Sequence, residues 1–376
     1  MIDGWCDPAF AGVRDVLAES LAAGTDLGAA VAVYVDGRCV VDVWGGVADK
    51  RSGRAWQRDT ACVTFSCTKA VTATAALRLA EREQVVLEAP VTDWWPEFGA
   101  HGKQRTTGVH LLTHQAGLPA FDRPVSVAEA ADAVAMADRL AGQEPEWAPG
   151  TAHGYHALTF GWLVAELVRR LGGQSVADYV RSTIGADLQI GVPAASIAAL
   201  ARITAGRPGR SGDYPMPHDV VVQFVAAAQD PDSPMLRSTA NPSASFNDPA
   251  LLTAGWPAAG LVTTARGLAE FYNRLVAGEL LRPDTVRDAV RERVRGPDRT
   301  MVSETAFGLG FMRGSQTMYL PPAARATAFG HPGASGALGI GDLECGLAFG
   351  YVPNLTTPAL GDRRAYRLVE AAYAAL

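Results

Sequence analysis

The feature that most restricts this chain is where its β-branched runs fall. Residues 29–36 (AAVAVYVD) and 39–46 (CVVDVWGG) lie near the start, parted by Gly37-Arg38, and read as a hairpin. Residues 326–331, 336–341 and 345–352 lie near the end, the last two parted by the turn Asp342-Leu343-Glu344. Between them the pattern is helical, at 66–83, 126–141, 157–171, 175–184 and 264–277, with further helices at 9–22 and 362–375. Strands from opposite ends of a chain that share one sheet imply an α/β domain built from both termini. Residues 1–80 and 255–376 would form that domain: an antiparallel sheet flanked by helices, with an inserted all-α domain at 81–254. A cleft between two such parts is a usual place for a binding site.

The helix at 66–83 is made mostly of Ala, Leu and Thr, and its first charge after Lys69 is Arg78. A helix apolar on every side is buried. Lys69 is therefore expected inside the protein. Only Lys50, Lys69 and Lys103 are lysines among 33 basic residues, the rest being arginine. Arginine cannot lose its proton in a protein, whereas burial pushes a lysine toward its neutral form. Ser66 lies three positions before Lys69, so the two share a helical face. A neutral amine beside a hydroxyl can serve as a general base for a nucleophile. At the start of a helix Ser66 also has an N–H free to bind an oxyanion. Taken alone, Ser-x-x-Lys equally describes a capping serine followed by a snorkelling lysine.

Three further segments decide between these readings. They are Leu111-Leu112-Thr113-His114-Gln115-Ala116-Gly117-Leu118-Pro119, Trp147-Ala148-Pro149-Gly150 with Tyr155, and Phe329-Gly330-His331-Pro332-Gly333-Ala334-Ser335-Gly336. In this order, with Ser66 and Lys69, they resemble the serine β-lactamase and penicillin-binding protein superfamily. The likeness is to its class C-like branch of family VIII carboxylesterases and related transacylases, and runs from about residue 10 to 375. The resemblance implies a β-lactamase/transpeptidase-like fold, with Ser66 as the acylated nucleophile and Lys69 as base. Tyr155 would share in proton transfer, and the Ser66 and Ala334 N–H groups would form the oxyanion hole. His331, Gly333 and His156 would lie at the substrate. Two departures matter. The family's Tyr-x-Asn reads Tyr155-His156-Ala157, and its Lys-Thr-Gly reads His331-Pro332-Gly333. Losing the asparagine that binds a substrate amide and the lysine that attracts a substrate carboxylate points away from β-lactams and peptides. It points toward esters or acyl transfer to an amine or alcohol; hydrolysis is the first expectation and transacylation the alternative. A non-catalytic binding protein would have lost Ser66 or Lys69, and both are present.

Composition closes off other classes. Net charge is −6 with scattered arginines, so no nucleic-acid partner is expected. No apolar run is long enough for a membrane span, and the start lacks the pattern of a signal peptide. Cys6, Cys39, Cys62, Cys67 and Cys345 are odd in number and show no zinc spacing, so they read as reduced thiols of a cytoplasmic protein. No cofactor or metal is expected: Gly-x-Gly-x-x-Gly and Gly-x-x-x-x-Gly-Lys loops are absent, as is a Gly-x-Ser-x-Gly elbow. His110 and His114 have the spacing of helical metal ligands but lack the accompanying glutamate, and read as structural. His153 and His156 flank Tyr155 and are candidates for the pocket wall. Trp94, Trp95, Trp147, Trp162 and Trp256 could shape an acyl pocket, though core packing is the simpler account. Residues 205–250, rich in Pro, Gly, Ser and Asp, read as a surface excursion, and 205–256 as a lid that selects substrate.

Overall fold

A computed structural model describes residues 2–206, 218–357 and 362–376. Its main strands are β1 (Ile2–Cys6), β2 (Gly28–Val35), β3 (Arg38–Asp49), β4 (Val294–Pro297), β5 (Glu304–Phe307), β6 (Met312–Arg313), β7 (Phe329–Pro332), β8 (Leu338–Asp342) and β9 (Leu347–Pro353). The helices that bear on the site are α1 (Ala11–Ala22), α2 (Thr68–Arg82), α3 (Ala133–Gly142), α4 (Thr159–Gly172), α5 (His218–Gln229), α6 (Pro234–Ala240), α7 (Pro249–Ala254), α8 (Ala265–Val276) and α9 (Arg364–Tyr373).

The main strands pair in the order β1-β3-β2-β9-β8-β7-β6-β5-β4, and the short strand Arg54–Ala55 adds to β3. Every neighbour is antiparallel. The two ends of the chain meet at β2 and β9, where Val33 faces Phe349. Strand periodicity explains the two faces. Val31 and Val33 point into a core shared with Val13 and Leu17 of α1 and Leu368 and Val369 of α9. The alternate residues Ala30 and Ala32 face the core that holds Leu268 and Ala269 of α8. The hairpin and the three C-terminal strands stand where the sequence puts them. β1, β4, β5 and β6 are additions that extend both ends of the sheet. They carry no clear alternation of their own and are strands because a neighbour offers a free edge.

Helix α2 runs through the interior, with twelve of its fifteen residues buried. One side meets α4. A third core cluster holds Trp95, Phe98, Leu111, Leu140, Trp162 and Trp256. The helix expected at 126–141 is two, Val127–Ala130 and α3, because the Asp132 side chain caps the Ala135 amide at 3.0 Å. No helix among the described residues is long and apolar enough to cross a membrane. The five cysteines are free.

The surface excursion expected at 205–250 is corrected by the structure. Residues 207–217 lie outside the described residues, but α5, α6 and the start of α7 fall within the segment. Ser233 and Asp248 cap α6 and α7, and each helix opens on a proline. Ser, Asp and Pro there are helix-start signals, since Pro at the first helical position forfeits only an N–H that has no partner anyway.

Candidate active site

Ser66 occupies a tight turn between the short strand Cys62–Val63 and α2. The preceding Phe65 has φ 49°, a left-handed conformation that a bulky residue adopts only when its surroundings force it. Those surroundings are a bridge from Phe65 to Gly260 and a ring contact with Phe246, centroids 4.3 Å apart. The Thr64 amide donates to the Leu261 carbonyl at 2.8 Å, and the Leu261 amide to the Thr68 hydroxyl at 2.9 Å. The Ser66 turn is thus sewn to residues 260–261 rather than held by α2 alone.

Lys69 is fully buried beneath this turn. Its Nζ lies 3.0 Å from Ser66 Oγ, 2.7 Å from the Ala157 carbonyl and 3.1 Å from the Ala258 carbonyl. Burial holds its pKa well below the usual lysine value. A neutral amine has two hydrogens and one lone pair. The two carbonyls take the two hydrogens, which leaves the lone pair for the Ser66 hydroxyl. Lys103 is the other buried lysine, and its Nζ donates to the carbonyls of Ala100 and Gln143. It has no nucleophile beside it. Lysine scarcity therefore flags buried amines, and only geometry sets the one beside a hydroxyl apart from the one that meets carbonyls alone.

Tyr155 is placed by its own backbone. Its amide donates to both oxygens of Asp298, at 2.9 and 3.1 Å, and its carbonyl accepts from Ser238 Oγ at 3.1 Å. Ser238 in turn accepts from the Ala157 amide at 3.0 Å. The ring lies parallel to Phe307, at 3°, and its centroid is 4.7 Å from Lys69 Nζ. Burial raises the phenol pKa, and a hydrogen bond with Ser66 opposes that shift without reversing it. The phenol is therefore protonated at neutral pH and suits the role of proton donor.

The strand β7 forms the opposite wall. Cys67 Sγ donates to the His331 carbonyl at 3.2 Å, which ties the nucleophile turn to β7. Burial raises the Cys67 pKa to about 12, so the thiol is inert. A Cβ on Gly333 would sit 2.3 Å from the Thr64 carbonyl oxygen, so only glycine lets the two loops approach. Ser66 and Ala334, on the two approaching loops, both line one cavity, and neither amide donates to another group among the described residues. His331 Nδ1 donates to the Pro332 carbonyl at 2.8 Å, and Nε2 is buried without a partner among the described residues. Burial lowers its pKa to about 3, with Lys69 adding to the effect, so it is neutral here.

A cavity of about 520 Å³ opens over Ser66. Ser66, Tyr155, His331, Gly333 and Ala334 all line it. Four of its walls are methionines, Met235, Met301, Met312 and Met318, and Phe224, Phe246, Tyr319 and Tyr366 supply aromatic surface. Among the described residues no lysine or arginine lines it, and the one charged residue that does, Asp362, is paired with Arg364 at 2.6 Å.

Several expected contributors stand elsewhere. His156 is not in the cavity lining, which corrects its expected place at the substrate. Its Nδ1 donates to the Gly154 carbonyl at 2.6 Å and its Nε2 accepts from the Leu118 amide at 3.0 Å, so both nitrogens are committed. His153 pairs with Thr305 and is likewise absent from the lining. His114 accepts from the His156 amide at 3.1 Å and His110 from the Thr107 amide at 3.2 Å. Both are structural, as their sequence context indicates. The five tryptophans line no part of the cavity. Residues of α5 and α6 do line it, through Phe224, Ala228, Met235, Leu236 and Thr239. Sequence reasoning missed the methionine wall, Asp298, Ser238 and the two carbonyls that meet Lys69. Main-chain carbonyls carry no side-chain signature, and no local pattern marked the others.

The comparisons with known proteins agree with this geometry. A family model described as Beta-lactamase matches residues 13–374. The esterase/β-lactamase LipL of Mycobacterium tuberculosis is 35% identical over 93% of this chain and 82% of its own length. The crystal structure of a family VIII carboxylesterase superposes with a TM-score of 0.88 at 32% identity, covering all of both chains. A penicillin-binding protein homologue from Caulobacter crescentus gives 0.86 at 34% identity, again over all of both chains. The architecture is the β-lactamase/transpeptidase-like fold.

Proposed function

This chain belongs to the β-lactamase family, and from that premise we propose that it is a serine carboxylesterase that acts on neutral apolar esters through an acyl-Ser66 intermediate. The observation that carries the reading is the coordination of Lys69: two carbonyls hold its hydrogens and Ser66 Oγ lies 3.0 Å from the nitrogen. Lys69 takes the hydroxyl proton as Oγ attacks the ester carbonyl. The oxyanion that forms is received by the N–H groups of Ser66 and Ala334. Collapse breaks the ester C–O bond, and the leaving alkoxide takes a proton from Tyr155, which is replenished from Lys69. Water then attacks the acyl-enzyme by the reverse roles and releases the acid.

The cavity supports esters over β-lactams and peptides. A substrate carboxylate would enter a site whose described lining is apolar, holds no lysine or arginine and has a neutral His331. Leaving such a charge unpaired is costly. The Mycobacterium tuberculosis relative is named an esterase/β-lactamase, and a structural relative is a family VIII carboxylesterase. Transfer to an alcohol is a second reading, favoured by the same apolar lining, which admits an alcohol at least as readily as water. The test is intact-mass spectrometry with a p-nitrophenyl ester series, with and without added alcohol or amine. An acyl mass on the parent, none on Ser66→Ala, and release as acid or as new ester distinguish the outcomes. Ester turnover that persists in Ser66→Ala refutes the reading.

A further inference from the structure

The turn that presents the Ala334 amide is held from behind by a buried guanidinium. Arg364, the first residue of α9, donates through Nη2 to the Ser335 carbonyl at 2.8 Å. Its Nη1 donates to Asp26 at 2.7 Å, and its Nε and Nη2 to Asp362 at 3.0 and 2.6 Å. Asp26 also accepts from the Tyr351 hydroxyl at 2.8 Å and the Ser20 hydroxyl at 2.6 Å. The Arg364 side chain is 7% exposed and that of Asp26 0%. The contacts therefore join the end of α1, β9 and the start of α9 to one carbonyl of the oxyanion turn.

A buried ion pair is a poor device for stability, because desolvation offsets most of its attraction. What it supplies is direction. A guanidinium is planar and presents its donors in a rigid fork. With Asp26 and Asp362 fixing that plane, the remaining donor can point only one way. The turn is shaped to receive it. Gly336 has φ +90°, and a Cβ there would sit 2.5 Å from Arg364 Nη2 and 2.5 Å from Asp362 Oδ2. The guanidinium thus lies flush on the backbone. Within residues 333–336 the other main-chain ties are Gly333 N to the Ala337 carbonyl at 2.7 Å and Gly336 N to the Gly333 carbonyl at 2.9 Å. Neither holds the Ala334–Ser335 segment itself; the Ala337 amide reaches the Ser335 hydroxyl at 3.4 Å, but among the described residues only Arg364 meets the Ser335 carbonyl.

We propose that Arg364 is a positioning residue of the oxyanion site: by clamping the Ser335 carbonyl it aims the Ala334 N–H at the carbonyl bound on Ser66. The proposal rests on the acyl-serine reading above. Arg364 is not in the cavity lining, so it acts through the turn and not on the substrate. Outright loss of an oxyanion donor costs about 10²–10³-fold in turnover, and a misaimed one costs less.

The test compares the parent with Arg364→Gln and Arg364→Lys. Lysine keeps the buried positive charge between Asp26 and Asp362 but has no fork to reach Ser335, so it separates charge from aim. Active sites are counted with a fluorophosphonate titrant, so that turnover is expressed per folded site. The expected result for Arg364→Lys is a kcat on p-nitrophenyl butyrate lowered about tenfold or more per titrated site, with KM within about twofold. The inhibition constant of phenylboronic acid, whose tetrahedral adduct occupies the oxyanion site, should rise by a similar factor. Arg364→Gln should show at least the same losses. A variant with lower thermal stability but parental kcat per site and parental boronate affinity overturns the proposal and makes Arg364 structural. A parent that neither reacts with the titrant nor turns over the ester overturns the acyl-serine reading, and this proposal with it.

Discussion

Lys69 Nζ donates to the main-chain carbonyl of Ala157 at 2.7 Å. Ala157 stands where the resembling family carries the asparagine of its Tyr-x-Asn motif, and here backbone rather than side chain meets the lysine. The loss of that asparagine removes a substrate-facing amide but leaves the base held. The carbonyls of Ala157 and Ala258 take two amine hydrogens, and the third direction belongs to Ser66.

Ser66→Ala should abolish ester turnover, a loss of about a thousandfold or more. Lys69→Arg should cost about 10²–10⁴-fold, because an arginine cannot accept the hydroxyl proton. Initial rates on p-nitrophenyl butyrate, with circular dichroism to confirm folding, check both. A folded Lys69→Arg protein with near-parental turnover would show that the amine only packs.

The pH–rate profile should fall on the acid side as Lys69 takes up a proton, with its inflection well below the ordinary lysine value. The sign follows from burial: a lowered lysine pKa leaves the amine neutral above that value and charged below it. His331 and His156, at about 3 and about 4, should add no inflection near the ordinary 6.5. A kcat/KM that climbs only toward the ordinary lysine value of 10.5 would remove Lys69 as the base.

Tyr155→Phe keeps the ring between Lys69 and Phe307 but deletes the proton donor. Turnover should drop about a hundredfold while thermal stability changes little. Paired stopped-flow and melting measurements test this; a drop under threefold would make the phenol merely structural.

Acid should destabilise the fold before the carboxylates titrate. His156 is buried neutral with a pKa lowered to about 4 against 6.5 when unfolded. The unfolded chain therefore binds the proton first, and the stability this group contributes is whole above 6.5 and lost as pH falls toward 4. By pH 5 that loss is roughly 2 kcal/mol for a fully buried group. Denaturant midpoints at pH 7.5 and 5 for the parent and His156→Gln should show the variant less pH-sensitive; equal slopes would contradict the account.

Sequence alone determined most of the elements and marked the Ser66–Lys69 pair as the candidate. The hairpin at 29–46, the C-terminal strands and the apolar helix after Ser66 each announce themselves through local periodicity, because which face is buried is written in the spacing of apolar residues. Ser66, Lys69 and Tyr155 could be singled out because their motifs are local, and the fold brings the three together. His156 was misplaced because a histidine's role depends on what its nitrogens meet, here Gly154 and Leu118. The helices α5 and α6 were missed because Ser and Pro mark helix starts and loops alike. Only tertiary structure distinguishes Lys69 from Lys103, since both are buried amines and Lys69 alone has the Ser66 hydroxyl at 3.0 Å. It alone gathered methionines from distant segments into one wall, and placed Arg364 behind Ser335. Contacts between residues far apart in the chain, and contacts to main-chain carbonyls, have no sequence pattern, so the environment that tunes the site exists only once the chain is folded.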